Sequence, residues 1–161
     1  MYKRPLVARA RALRVGPGAA AGVDMGALAN AEQLQRFTDY VRIGTDEGAT
    51  LGCGGDTVTV AGSPGGFFVR SAVFSDAEPH MRIVTDEVFG PLLAFQRAGS
   101  LDEAIDLANA TEFGLSAAIV TGDLAVAQRF ARTSRSGLVK LNQPTAGTVS
   151  YTLLTLPTTL P

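Results

Sequence analysis

Few residues of this chain have side chains suited to covalent chemistry, and their settings differ. Cys53 is the only cysteine and His80 the only histidine. A thiolate attacks a carbonyl when a neighbouring base or positive charge activates it. Cys53 lies in Leu51-Gly52-Cys53-Gly54-Gly55, at the end of a short apolar run, and His80 lies in Glu78-Pro79-His80, away from any recognisable partner. A lone cysteine in such a setting is ordinarily inert, so no Cys53 and His80 catalytic pair is expected. The carboxylates Asp102, Glu103 and Asp106 fall at helical spacing after Ser100, where a helix N-terminus stabilises negative charge; a solvated face is expected. Gly62-Ser63-Pro64-Gly65-Gly66 has neither the Gly-Lys-Ser/Thr ending nor the following helix of a phosphate cradle, and is expected to turn between strands. Asn142, Gln143, Pro144 and Thr145 follow an apolar run, and loops after parallel strands are where open α/β sheets bind ligands. A surface loop turned by Pro144 is the other reading.

The elements that must position these residues are legible in the periodicity. Apolar residues over 6–15 share one helical face and stop at Gly16-Pro17-Gly18. Asn30 and Gln33 have capping-box spacing and open a helix carrying Leu34, Phe37, Val41 and Ile43. Runs at 50–53, 57–60 and 67–73 are short, β-branched or aromatic, and separated by glycines, which predicts a mostly antiparallel stretch. From Pro91 the rhythm changes to apolar runs at 92–95, 116–120 and 138–141 with two helices between them. That alternation predicts a parallel βαβαβ series. Ser100 with Glu103 caps the first of these helices, Asp123 caps the second, and Gly137 is expected to close it.

Fourteen Lys and Arg stand against fifteen Asp and Glu, which leaves no basic stripe to neutralise nucleic-acid phosphates. The single cysteine excludes an internal disulfide and thiolate-rich zinc sites, and fits a reducing, cytoplasmic setting. No apolar run suits a signal peptide or a membrane span. Residues 148–161 are biased to Thr, Leu and Pro and are expected to form an atypical tail.

Three stretches together carry a family resemblance. Leu13-Arg14-Val15-Gly16 followed by Asp24-Met25-Gly26-Ala27-Leu28 is similar to an L-x-V-G and M-G-P-L pair. Asp86-Glu87-Val88-Phe89-Gly90-Pro91 is similar to E-E-x-F-G-P, and Asn109-Ala110-Thr111-Glu112-Phe113-Gly114-Leu115-Ser116-Ala117 to N-x-T-x-Y-G-L-x-A. In this order and spacing they resemble the aldehyde dehydrogenase superfamily over residues 2–147, in the part of the catalytic domain that follows the nucleophilic cysteine. Gly137-Leu138-Val139-Lys140-Leu141-Asn142-Gln143-Pro144-Thr145 resembles members acting on α-ketoglutaric semialdehyde and related oxo-acid semialdehydes.

The resemblance implies an α/β fold: a partial catalytic domain over residues 1–147, with a parallel βαβαβ sheet and a more antiparallel middle segment. It implies NAD or NADP as cofactor, an aldehyde or semialdehyde as substrate, and a homo-oligomer or association with a full-length subunit. Glu87 matches a family glutamate that binds the nicotinamide ribose hydroxyls, and Phe89 an aromatic residue beside the nicotinamide; the bland alternative is a local cap or ion pair at Glu87 and core filling by Phe89. Asn142, Gln143, Pro144 and Thr145 match a loop on the aldehyde-entry side. The family's catalytic cysteine, general base and glycine-rich nicotinamide turn precede the matched part, so the chain alone is expected to be inactive and to hold NAD weakly. A rival reading is a noncatalytic interaction protein on the same scaffold. An unrelated nucleotide-binding module would need a glycine fingerprint after a strand, which is not found.

Overall fold

The computed structural model describes residues 3–145, and the chain divides into two compact units, Met1–Gln96 and Arg97–Pro161. The proposed tail at 148–161 lies outside the described residues.

In the first unit, helix α1 (Lys3–Arg11) precedes the longer α2 (Ala31–Asp46). α1 ends four residues short of Val15, where the apolar periodicity alone would have carried it. The cause is a long-range pairing: Arg14 N–H and Nε both donate to Asp24 Oδ2, at 2.9 and 3.1 Å, and Val15 forms a parallel bridge with Met25. Extended backbone there satisfies groups that another helical turn would have used.

α2 opens as its sequence dictates, with Asn30 Oδ1 accepting the Gln33 N–H at 2.8 Å. The reciprocal half of the box is not made, and Gln33 Oε1 is buried without a partner among the described residues. Phe37, Tyr40 and Gly44 form the buried face of α2. Gly44 is the point of closest packing: a Cβ there would lie 2.8 Å from Ile83 Cγ2 and 3.2 Å from Phe74 Cζ. Only a residue without a side chain lets α2 lie so near the short helix α3 (Arg82–Thr85), an element too brief to announce itself by periodicity.

A three-stranded sheet supports these helices. β1 (Thr50–Cys53) runs antiparallel to β4 (Ala72–Ser75), with Leu51 opposite Phe74, and β4 runs parallel to β5 (Leu92–Ala94), with Ala72 opposite Leu92. All four β4 residues are buried. β2 (Thr57–Val58) and β3 (Phe68–Val69) make a small antiparallel pair. The run read from sequence at 67–73 is thus divided between β3 and β4. The glycine segment 62–66 turns between β2 and β3, with Ser63 N–H bonded to Val60 O and Gly66 N–H to Ser63 O. Phe37, Phe74 and Val69 are the largest fully buried side chains, within a core that includes Tyr40, Met81, Ile83 and Val88. Truncating Phe37 or Phe74 to alanine would cost about 3–5 kcal/mol.

The second unit holds β6 (Ser116–Ile119) and β7 (Leu138–Leu141), parallel and in continuous register, with helices α4 (Leu101–Ala108) and α5 (Leu124–Thr133). Ser100 Oγ accepts the Glu103 N–H at 3.1 Å, and Asp123 Oδ1 accepts the amides of Ala125 and Val126. The acidic group has local roles: Glu103 Oε2 accepts the Gly99 N–H at 2.6 Å, Asp102 pairs with Arg129, and Asp106 is exposed. Ile105, Ala127 and Phe130 are buried.

Two details differ from the sequence reading. Parallel pairing is present, but in two sheets: the run at 92–95 covers the second edge of the buried β4, while the runs at 116–120 and 138–141 pair with each other. Gly137 does not close α5, which ends at Thr133 with Ser134 as its cap; the Gly137 N–H bonds to Gly114 O at 2.8 Å and leads into β7. Among the described residues, no helix is long and apolar enough to cross a membrane.

Candidate functional site

Residues 86–91 form a strap between α3 and β5, held at both ends and in the middle. At its start, Asp86 Oδ2 accepts the Tyr40 hydroxyl at 2.7 Å and Arg82 Nε at 3.0 Å. At its end, Pro91 O accepts the Ala72 N–H at 2.9 Å, which lays the strap along β4. In the middle, Arg36 reaches from α2 with both faces of its fork: Nε donates to Val88 O at 3.0 Å and Nη2 to Glu87 O. Two guanidinium groups, those of Arg36 and Arg82, lie over the Tyr40 ring, each 5.3 Å from its centroid.

The electrostatics follow from this arrangement. The hydrogen bond from Tyr40, then those from Arg82 and Thr85, hold the Asp86 carboxyl below the usual carboxylate range against a smaller opposing effect of burial. The same bond to Asp86, followed by burial, pushes the Tyr40 hydroxyl above its ordinary value. Both directions describe one neutral donor and one anionic acceptor.

The clamp presents what the sequence singled out. Val88 turns inward and is buried, while Glu87 and Phe89 on either side of it are exposed. The Glu87 carboxylate has no partner among the described residues, so it neither caps nor pairs locally. Phe89 is 73% exposed and therefore does not fill core. Its φ of +56° places a bulky residue in the left-handed region, at a cost of about 1–2 kcal/mol. A hydrogen bond from a charged donor contributes roughly 1.5–3 kcal/mol, so the Arg36 contact to Val88 O is large enough to hold that conformation.

In the second unit, Asn142 has φ +53°, and its side chain continues the strand ladder after β7 ends. Oδ1 accepts the Thr121 N–H at 2.8 Å, and Nδ2 donates to Thr121 O at 2.9 Å. Thr121 Oγ1 in turn accepts the N–H of Asp123, the α5 cap. Asn142 thereby fixes where the exposed Gln143, Pro144 and Thr145 begin. Glu87 and Phe89 are features of the first unit, and Asn142 to Thr145 of the second. Asn109 in its motif also serves geometry, joining the Thr133 carbonyl at 2.9 Å and the Arg135 amide at 2.8 Å.

Cys53 and His80 are engaged elsewhere. Cys53 is buried, with Sγ toward Val7 O at 3.8 Å, and the exposed His80 ring faces Glu78 at 3.6 Å. Arg36, Tyr40 and Arg82 were not singled out from sequence. Their only local signal is the spacing of Arg36 and Tyr40 on one face of α2, and nothing in it points to residues 86–88.

Residues 86–91 thus carry an exposed carboxylate and an exposed aromatic on a strap held by Arg36 and Asp86 within an α/β scaffold. The aldehyde dehydrogenase family model matches residues 2–153, and the chain belongs to that family. Relatives include an α-ketoglutarate semialdehyde dehydrogenase from Haloferax volcanii, 41% identical over 88% of this chain and 29% of that protein. A betaine aldehyde dehydrogenase from Mesorhizobium japonicum is 38% identical over 85% of this chain and 28% of that protein. Among solved structures, betaine aldehyde dehydrogenase from Staphylococcus aureus in complex with NAD+ superposes with a TM-score of 0.84 at 31% identity, covering 89% of this chain and 29% of that one. The chain thus spans under a third of these relatives' length.

Proposed function

We propose that this chain supplies the nicotinamide-ribose end of the cofactor site and part of the aldehyde entry of an NAD(P)-dependent enzyme that oxidises a semialdehyde to a carboxylate. The observation that carries this reading is the strap: Glu87 is exposed, without a partner among the described residues, beside an aromatic residue held exposed at positive φ. A strained, exposed aromatic is a poor choice for stability and a useful one for a ligand.

The donor set fits the cofactor. A carboxylate accepts hydrogen bonds from two vicinal hydroxyls at once, one on each oxygen. The Phe89 face offers an apolar wall that keeps water from the reacting carbon. When bound, NAD(P) supplies the acceptor for the hydride that leaves the aldehyde carbon. Gln143, Pro144 and Thr145, set in place by Asn142, are the candidate contacts for the aldehyde. A semialdehyde is favoured by the identity to the α-ketoglutarate semialdehyde enzyme and by the resemblance of residues 137–145 to that group.

Oxidation by this family's chemistry also needs a thiolate to form the thiohemiacetal and a base to activate water. Cys53 does not offer the first, because it is buried against a backbone carbonyl. The 161-residue chain by itself is therefore proposed to be inactive. The test is purified chain incubated with several semialdehydes and both cofactors: no NAD(P)H is expected. Turnover that Cys53→Ala abolishes would overturn the assignment.

A further inference from the structure

We propose that Arg36 is the positioning residue of the strap: by fixing two successive peptide planes it sets Phe89 at positive φ and directs Glu87 outward toward the ribose. The inference rests on the reading of Glu87 as a ribose ligand and assigns the residue that makes it one.

The argument begins with which bonds Arg36 makes. Its two donors go to the carbonyls of Glu87 and Val88, residues 51 and 52 positions away. The Val88 carbonyl belongs to the peptide that joins Val88 to Phe89. Rotation of that plane about its flanking bonds changes Phe89 φ. A flip would return Phe89 to the ordinary φ range and relieve its strain; the bond from Arg36 Nε opposes the flip. The bond to Glu87 O fixes the plane that joins Glu87 to Val88, so one of the two backbone bonds that aim the Glu87 side chain, its ψ, is constrained.

Arginine suits this role where lysine would not. The planar fork presents two donors at fixed separation, while an ammonium on a flexible stem commits to one geometry less firmly. The guanidinium itself lies over the Tyr40 ring, 5.3 Å from its centroid, and is attracted by the ring face. Tyr40 is buried and fixed through Asp86, so the guanidinium has a rigid back wall. Val88 between the two carbonyls is anchored in the core. What remains free to respond is the exposed pair, Glu87 and Phe89.

The experiment compares wild type, Arg36→Gln, Arg36→Lys and the control Arg42→Gln, whose side chain pairs, among the described residues, only with Asp39 and Asp46 on the same helix. Isotope-labelled chain is followed by NMR, with Phe89 amide-to-Hα coupling reporting φ and nicotinamide mononucleotide as the probe titrated against the Glu87 carboxylate signal. The expected result is that Arg36→Gln releases Phe89 from positive φ and weakens the Glu87 response about tenfold, the loss expected of one charge-assisted hydrogen bond. Signals of α2 and β4 stay in place, Arg36→Lys lies between, and Arg42→Gln matches wild type. If Arg36→Gln does not fold, the Arg36→Lys chain decides on the same readouts. A Phe89 φ and Glu87 response unchanged by loss of the fork would overturn the proposal. Phe89 released by Arg36→Gln, with no Glu87 response to the nucleotide even in wild type, would leave the positioning role standing and sink the ribose assignment.

Discussion

The Tyr40 hydroxyl donates to Asp86 Oδ2 at 2.7 Å across 46 residues of sequence, and this bond ties the centre of α2 to the first residue of the strap. Asp86 also takes Arg82 Nε at 3.0 Å, so one carboxylate joins the helix, the short turn before it and the segment that carries Glu87.

Removing the hydroxyl tests that tie. Tyr40→Phe keeps the buried ring under its two guanidiniums and deletes two hydrogen bonds, the one donated to Asp86 and the one accepted from Arg82 Nη2 at 3.2 Å. With the Asp86 side chain one-third exposed, water replaces part of what is lost, so the first unit should lose about 1 kcal/mol at neutral pH. The pH dependence has a definite sign. Asp86 is held below its ordinary value, so its contribution is present above about pH 4 and is lost as pH falls through the lowered value. Tyr40 is raised, so its contribution is present below about pH 10 and is lost as pH rises through the raised value. Denaturant unfolding of both chains across pH should give curves that differ most between those limits and converge on the acid side. A constant offset from pH 2 upward would show that the hydroxyl acts through packing alone.

Asn142 makes a matching prediction in the second unit. Asn142→Ala removes both bonds to Thr121 and leaves at φ +53° a β-carbon without the polar side chain that lets Asn adopt the left-handed region. Together these should cost about 2 kcal/mol. Asn142→Gly removes the same bonds but tolerates the backbone, so it should be the milder change. Amide exchange at β6 and β7 would show it. Equal effects of the two variants would mean that the left-handed conformation carries no cost there.

How much of this could be read from the residues follows from the range of each interaction. Asn30, Ser100 and Asp123 cap helices through bonds to amides two or three residues on, and each was legible because partner and signal sit in one window. Glu87 and Phe89 stand out in sequence only through their motif; the structure shows both exposed, which rules out a core position for Phe89. The clamp was not legible, because Arg36 and Tyr40 sit on a helix whose spacing only says that one face is buried. The same reason hid the end of α1: residues 12–15 keep helical periodicity, and only the pairing of Arg14 with Asp24 and Val15 with Met25 shows why the backbone leaves it.

The exposed apolar side chains predict association. Leu51 on β1 and Leu93 on β5 are exposed at the two outer strands of the sheet, and Val120 and Leu124 stand at 85% and 71% exposure. Parallel sheets are normally covered on both faces, and with 46% hydrophobic and 18% charged residues little repulsion opposes contact. Light scattering should show oligomers or aggregates whose size grows with concentration. A monodisperse monomer that binds no hydrophobic dye would count against it.

The central claim is that the strap is the nicotinamide-ribose end of a cofactor site, of which this chain holds only part. Titration of NAD+ into the labelled chain, watched at every amide, tests it most directly. The prediction is a response confined to residues 86–90, with a midpoint at or above about 1 mM, equivalent to roughly 4 kcal/mol or less of binding free energy, and abolished by Glu87→Gln. Micromolar affinity, or a saturable response that leaves Glu87 and Phe89 unmoved, would contradict it.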